Sequence, residues 1–326
     1  MCGLVGLAGH IGHYEEKAFR DLLVMDTVRG FHSTGMAIIG KDRQVSSSAL
    51  FKLPVSGGDF VRHEQFSKMI PFTTNNTSAV LIGHNRQATV GQVNTHNAHP
   101  FHTGSIIGAH NGTLPQTARQ KLANWKDYTT DSEALLYNIH KDGAEMALGS
   151  VWGAWALTYW DFDKDSLFMV RNDQRPLSYT YTKDRETLMW ASEWQMLWAA
   201  ADRNNLDIED IQDVPVDEIL EFKIPKNMSA KNPLKDPEKV GDVFSCDYVS
   251  SSSSGGNYSS NTQWWDDYYQ KQEEKQATSV VATTKSCDWC SAVVPSSEIV
   301  SVSGGIDLCK DCHSDPEVVG YVQHYT

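Results

Sequence analysis

The sequence predicts an α+β fold of antiparallel sheets with helices outside, followed by a small module organised by cysteine. Three observations carry this. Nine short β-branched or aromatic runs succeed one another through the first 225 residues, most with no helix between them. Strands that follow one another so closely pair antiparallel rather than forming a doubly wound parallel sheet. Only three stretches have helical spacing, and four cysteines gather as two C-x2-C pairs near the end.

Taken in order, the expected strands are Leu4–Ala8, Met36–Gly40, Ala79–Gly83, Ser105–Ala109, Ala154–Trp160, Ser166–Val170, Leu177–Thr182, Thr187–Ala191 and Glu218–Ile224, punctuated by Gly, Asp or Pro. The first helix has Phe19, Leu22, Leu23 and Asp26 ahead of Gly30, a residue suited to ending a helix. The second opens on Thr130 and Glu133, a T-x-x-E capping box before Ala134, Leu135 and Ile139. Trp194–Ala201 is the third. Three segments are expected: a catalytic-type domain over 2–225, a linker over 226–284, and a four-cysteine module over 285–326. The linker contains S-S-S-S-S-G-G-N-Y-S-S at 250–260 and Q-W-W-D-D-Y-Y at 263–269, which is either plain linker or a partner-docking motif.

With 28 Lys and Arg against 41 Asp and Glu, the chain carries a net charge of −13. Such a surface repels phosphate backbones, so nucleic acid is not an expected partner. No apolar run approaches the length of a membrane span, and the start lacks a basic leader, so a cytoplasmic setting is expected. Of the six cysteines, Cys2 stands alone in the first 245 residues, which is no disulfide framework. Cys246 has no assigned role.

Removal of Met1 would leave Cys2 with both a thiol and the free α-amine. The amine has an ordinary pKa of about 7.7–8.0 and can take the thiol proton near neutrality. Around it stand C-G-L-V-G at 2–6, R-G-F-H-S-T-G at 29–35, G-H-N-R-Q-A-T-V-G at 83–91 and N-A-H-P at 97–100. A-H-N-G-T-L at 109–114, T-T-D-S-E at 129–133, V-R-N-D-Q-R-P-L at 170–177 and A-S-E at 191–193 follow. In order and spacing this series resembles the class II glutamine amidotransferase domain, an N-terminal nucleophile (Ntn) glutaminase.

The resemblance implies a four-layer αββα Ntn-hydrolase sandwich and hydrolysis of the glutamine side-chain amide, with no cofactor needed for that step. Cys2 would be the nucleophile, and Asn111 and the Gly112 N–H the oxyanion hole. Arg86 would clamp the substrate carboxylate, Asp131 would take its ammonium, Thr89 would help hold it, and Arg29 would support the nucleophile loop. Two motifs depart from the family pattern: His32 replaces the usual Asp, and Asn85 and Gln87 replace Thr and Trp. A related γ-glutamyl amide therefore stays open as the substrate. Family members consume the ammonia in a fused synthase; here a separate acceptor protein is expected. The alternative is a non-catalytic protein of the same fold that acts as an interaction module.

Two metal readings arise. His84, His96, His99, His102 and His110 crowd into positions 84–110 but lack a recognised ligand spacing. Cys287, Cys290, Cys309 and Cys312, with 18 residues between the pairs (291–308), have the spacing of a structural four-thiolate zinc ribbon. Adjacent His313 is a substitute ligand, and a redox pair or iron is the other option. The ribbon holds two lysines against six acids, which points to a protein partner.

Overall fold

The computed structural model describes residues 2–41, 46–70, 77–226, 232–244, 284–286, 293–295, 298–302 and 306–314. The chain divides into two compact units, residues 1–250 and 251–326.

The first unit begins with β1 (Gly3–Gly9), helix α1 (His13–Met25) and one 3-10 turn at Asp26–Val28. Strands β2 (Ser33–Lys41) and β3 (Ser46–Leu53), short helices α2 (Gly57–Arg62) and α3 (Glu64–Met69), and β4 (Ser78–Arg86) follow. Next come β5 (Phe101–Thr103), β6 (Ile106–Thr113), α4 (Gln116–Arg119), α5 (Asp131–Asp142) and α6 (Ala144–Gly149). The unit continues with β7 (Ala154–Asp161), β8 (Ser166–Arg171), β9 (Ser178–Tyr181), β10 (Thr187–Ala191) and α7 (Trp194–Arg203). It ends in β11 (Gln212–Asp213), β12 (Glu218–Phe222) and β13 (Glu238–Asp242).

Two sheets form, one ordered β11-β9-β10-β1-β4-β2-β3 and the other β13-β12-β8-β7-β6-β5. Their strand pairings are antiparallel, as expected. Strand β13 adds an edge within the stretch expected to be linker, so the sheet reaches past residue 225.

Side-chain alternation shows how the layers stack. Leu4 and Ala8 of β1, and Val80 and Ile82 of β4, share a core with Ile107, Ala109, Ala156 and Trp160 of the second sheet. Their neighbours Val5, Leu7, Ala79 and Leu81 turn the other way and pack on Phe19, Leu22, Leu23 and Leu197 of α1 and α7. On the far side, Trp155, Leu157 and Tyr159 pack on Leu135, Leu136 and Ile139 of α5. The order is therefore helix, sheet, sheet, helix. No helix among the described residues is long and apolar enough to cross a membrane.

In the second unit, β14 (Thr284–Ser286) pairs with β15 (Val293–Pro295), and β16 (Ile299–Val302) with β17 (Ile306–Cys309). Helix α8 (Lys310–Ser314) follows. Cys287 and Cys290, in the connection between β14 and β15, and Cys246 and 263–269 lie outside the described residues. Cys309 closes β17 and Cys312 falls in α8.

Candidate active site

The site follows from strand alternation at one end of the two facing sheets. Because Leu4 and Ala8 face the second sheet, Cys2 falls on that same inward side; Arg86 does so on β4, after Val80 and Ile82. On the opposing sheet, Ile107 and Ala109 face inward, which puts Asn111 on the inner face of β6. Gly3 pairs with Asn85, so the ends carrying Cys2 and Arg86 lie side by side.

Cys2 is buried, its Sγ accepting the Gln87 N–H at 3.3 Å and reaching the Gln87 carbonyl at 3.4 Å. Burial raises the thiol pKa; the Gln87 contact and the positive charge of Arg86 work against that rise. Arg29, at the end of the 3-10 turn, donates from Nε to the Cys2 carbonyl at 3.0 Å and pairs with Glu193. It thus holds the backbone of residue 2.

Asp26 lies underneath. It is fully buried, and burial raises its pKa well above the ordinary value, with the positive charge of Arg29 and the Asn85 backbone working against that rise. A Cβ at Gly3 would come within 1.8 Å of its Oδ1, so any other residue after the cysteine would have to displace that carboxylate.

The Arg86 guanidinium is buried and donates to the Gln92 carbonyl at 3.0 Å and to the Val90 carbonyl. It shapes the 87–92 loop, and a substrate carboxylate would have to share or displace those carbonyls. Thr89 is exposed, its hydroxyl 3.1 Å from that of Thr113 just beyond Asn111, which ties the loop to β6. Asp131 is the first residue of α5, behind the Thr130 cap, and accepts the Leu114 N–H at 2.8 Å. Cys2, Arg86 and Asp131 lie close enough for their charges to act on one another.

Asn111 is completely buried, with Nδ2 3.3 Å from the Ser192 hydroxyl and Oδ1 unpartnered. Ser192 Oγ already accepts the Leu4 N–H at 2.9 Å, so its own proton needs an acceptor. Turning the amide over lets Oδ1 take that proton and frees Nδ2 to face a reacting oxygen. Gly112 is enforced by packing, because a Cβ there would meet the Ala154 carbonyl at 1.9 Å.

The substituted motif positions are also accounted for. His32 accepts the Ala88 N–H at 3.0 Å, Asn85 donates to the Leu23 carbonyl at 2.7 Å, and Gln87 meets the nucleophile through its backbone. Sequence reasoning missed Asp26, Ser192 and Glu193 as parts of the site. The A-S-E run was the available signal for the latter two; nothing marked Asp26.

The histidine cluster does not gather as a metal site. His96 and His102 are exposed, whereas His84, His99 and His110 are buried, the first two stacked at 4.1 Å. No group of three or more ligating side chains forms among the described residues. Burial lowers all three pKa values, that of His84 to about 3, with Arg86 adding to the effect. Below about pH 6.5 the unfolded chain therefore binds protons that the folded chain refuses, and stability falls with falling pH. Each imidazole held neutral adds a slope of up to about 1.4 kcal/mol per pH unit. Urea unfolding at about pH 7.5, 6.5 and 5.5 is expected to give a midpoint that drops at each step; a constant midpoint would contradict neutral burial.

Residues 72–232 match the family model described as a glutamine amidotransferase domain. That span is similar to a glutamine amidotransferase domain. Among curated proteins, it is 25% identical to the glutamine–fructose-6-phosphate aminotransferase of Bartonella henselae over 244 residues, 66% of this chain and 38% of that one. To the enzymes of the same name from Methanosarcina acetivorans and Gluconobacter oxydans it is 26% and 28% identical, over 54% and 56% of this chain and 30% of each of theirs. The chain thus spans well under half the length of these relatives. Among solved structures, the Bacillus subtilis glutamine phosphoribosylpyrophosphate amidotransferase superposes with a TM-score of 0.51 at 21% identity, covering 73% of this chain and 49% of that one. A structure of the allosteric regulatory enzyme of purine biosynthesis gives 0.52 at 21%, with the same coverage. The first unit therefore shares the fold of these two solved structures, in keeping with the layered sandwich expected from the motifs.

Proposed function

We propose that the chain, once Met1 is removed, hydrolyses the side-chain amide of glutamine through Cys2. The observation that carries this is the meeting of Cys2 and Arg86 with Asn111 across the inner faces of the two sheets. The α-amine of Cys2 takes the thiol proton, and the thiolate adds to the amide carbon. Asn111 Nδ2 and the Gly112 N–H hold the oxyanion. Collapse of the tetrahedral intermediate expels ammonia, which leaves with the transferred proton. Water then cleaves the γ-glutamyl thioester, giving glutamate and the free thiol. Arg86 is suited to the substrate carboxylate by its planar fork, and Asp131 to the ammonium by its charge; Thr89 closes the loop over them.

Glutamate release by the native chain, with loss of Met1 checked by mass spectrometry, tests the proposal. Turnover of glutamine but not of asparagine is expected; a processed chain that releases no glutamate overturns it. The ammonia is assigned to a separate acceptor protein.

The second unit is read as that ribbon, with zinc purely structural. Its four thiols are soft donors suited to zinc. The first pair lies in the sequence between β14 and β15, and the second where β17 meets α8, a spacing that supports a four-thiolate site. So small a unit draws its folding energy largely from metal. Elemental analysis is expected to find one zinc per chain, lost in Cys309→Ser while glutamate release persists. Iron, or no metal with a reversible disulfide, would overturn the assignment.

A further inference from the structure

Helix α7 turns Met196, Leu197, Ala200 and Ala201 into the core and leaves two indoles in solvent, Trp194 at 52% and Trp198 at 58% exposure. They stand four residues apart, hence on one face of the helix. The chain beyond the helix runs back alongside it, and Leu206–Ile211 forms the other wall of a groove of about 470 Å³. Asp202, Asp207, Glu209 and Asp210 line this groove, and no lysine or arginine does. A second hollow of about 410 Å³ shares Ile208, Glu209 and Asp210 with it. Arg185 engages Glu209 from both guanidinium arms at 2.6 and 2.7 Å. Among the described residues, no ion pair engages Asp202, Asp207 or Asp210.

Both tryptophans leave about half of their surface in solvent, and large aromatic side chains left exposed together mark contact surfaces. Indole faces attract cations, and neighbouring carboxylates strengthen the attraction and orient a guanidinium or ammonium. We propose that this groove docks an arginine- or lysine-bearing segment of a partner protein, its cationic side chains lying on Trp194 and Trp198 and pairing with Asp202, Asp207 and Asp210. Charge complementarity selects this occupant over a second copy, because the chain itself carries −13. The groove is coupled to the active site by one short link. Glu193, the N-cap of α7, is the residue that pairs with Arg29, which in turn holds the Cys2 carbonyl. Docking itself does not depend on amide hydrolysis.

The test uses the full chain and a dye-labelled peptide of alternating arginine and glycine, titrated by fluorescence anisotropy at physiological ionic strength. Trp194→Ala/Trp198→Ala and Asp202→Asn/Asp207→Asn/Asp210→Asn are each expected to weaken binding about tenfold or more. Asp127→Asn/Asp142→Asn/Asp163→Asn removes the same charge from exposed positions elsewhere and is expected to bind as the native chain does. Circular dichroism checks that each variant folds. Equal weakening in the third variant would reveal only general attraction to an acidic surface and would overturn the proposal. So would an unaltered tryptophan variant, no binding at all, or a native dimer that the tryptophan substitutions dissociate.

Discussion

A Cys2→Ala chain is expected to release no glutamate above background, a loss of at least about a thousandfold, while unfolding at nearly the native denaturant concentration. The two halves of this expectation have separate causes. The side chain is small and its hydrogen bonds among the described residues go to the Gln87 backbone, so alanine leaves only a minor gap at the edge of the core. Arg29 still holds the carbonyl of residue 2, because that contact is to the backbone. Chemistry, by contrast, loses the one thiol among the described residues of the first unit. In the native chain, burial raises the thiol pKa, so kcat/KM is expected to climb with pH as the thiolate fraction grows. An electrophilic glutamine analogue should add its mass to the Cys2 peptide of the native chain and to no peptide of the variant. Undiminished turnover by Cys2→Ala would remove the nucleophile from the mechanism.

Asn111→Ala is expected to lower kcat by about 100- to 1,000-fold with KM little changed. The amide stands on the sheet opposite Cys2, and as an oxyanion donor its hydrogen bond would strengthen as negative charge gathers on oxygen. The Ser192 hydroxyl, which also receives the Leu4 N–H, keeps the amide from rotating. Ser192→Ala should therefore reproduce part of the kcat loss, and the pair should be less than additive because both act through one donor. A rise in KM with kcat unchanged would assign Asn111 to substrate binding instead. Initial-rate kinetics over a range of glutamine concentrations separates the two.

Most of this architecture was legible because its punctuation is local. Thr187–Ala191 forms the strand expected of it, and Thr130 caps α5 by accepting the Glu133 N–H. The strands left unread are of a different kind. Ser46–Leu53 is half serine and lysine and pairs along one edge, and Glu238–Asp242 is an exposed, charged edge whose only neighbour is β12. Neither has an apolar pattern to read. Even well-predicted strands concealed their facing: β1 is buried on both sides, so its alternation is invisible until the two sheets are in place.

The candidate site divides along similar lines. Cys2, Arg86, Asn111, Gly112 and Asp131 stand in motifs that can be read in one dimension. Glu193 finds Arg29 across 164 positions, and Asp26 looks like an ordinary member of a helix end. Only the folded chain turns that residue into a buried acid against Gly3.

The pairing of Gly3 with Asn85 carries a last consequence. Cys2 and Arg86 sit at the end of one long ladder, nine paired positions on one side of β4 and seven on the other. A slip of a single residue in that ladder would preserve much of the hydrogen bonding yet turn Cys2 and Arg86 to opposite faces of the sheet. Turnover thus doubles as an assay of strand alignment, able to expose a misthreaded but compact chain that circular dichroism would pass as native.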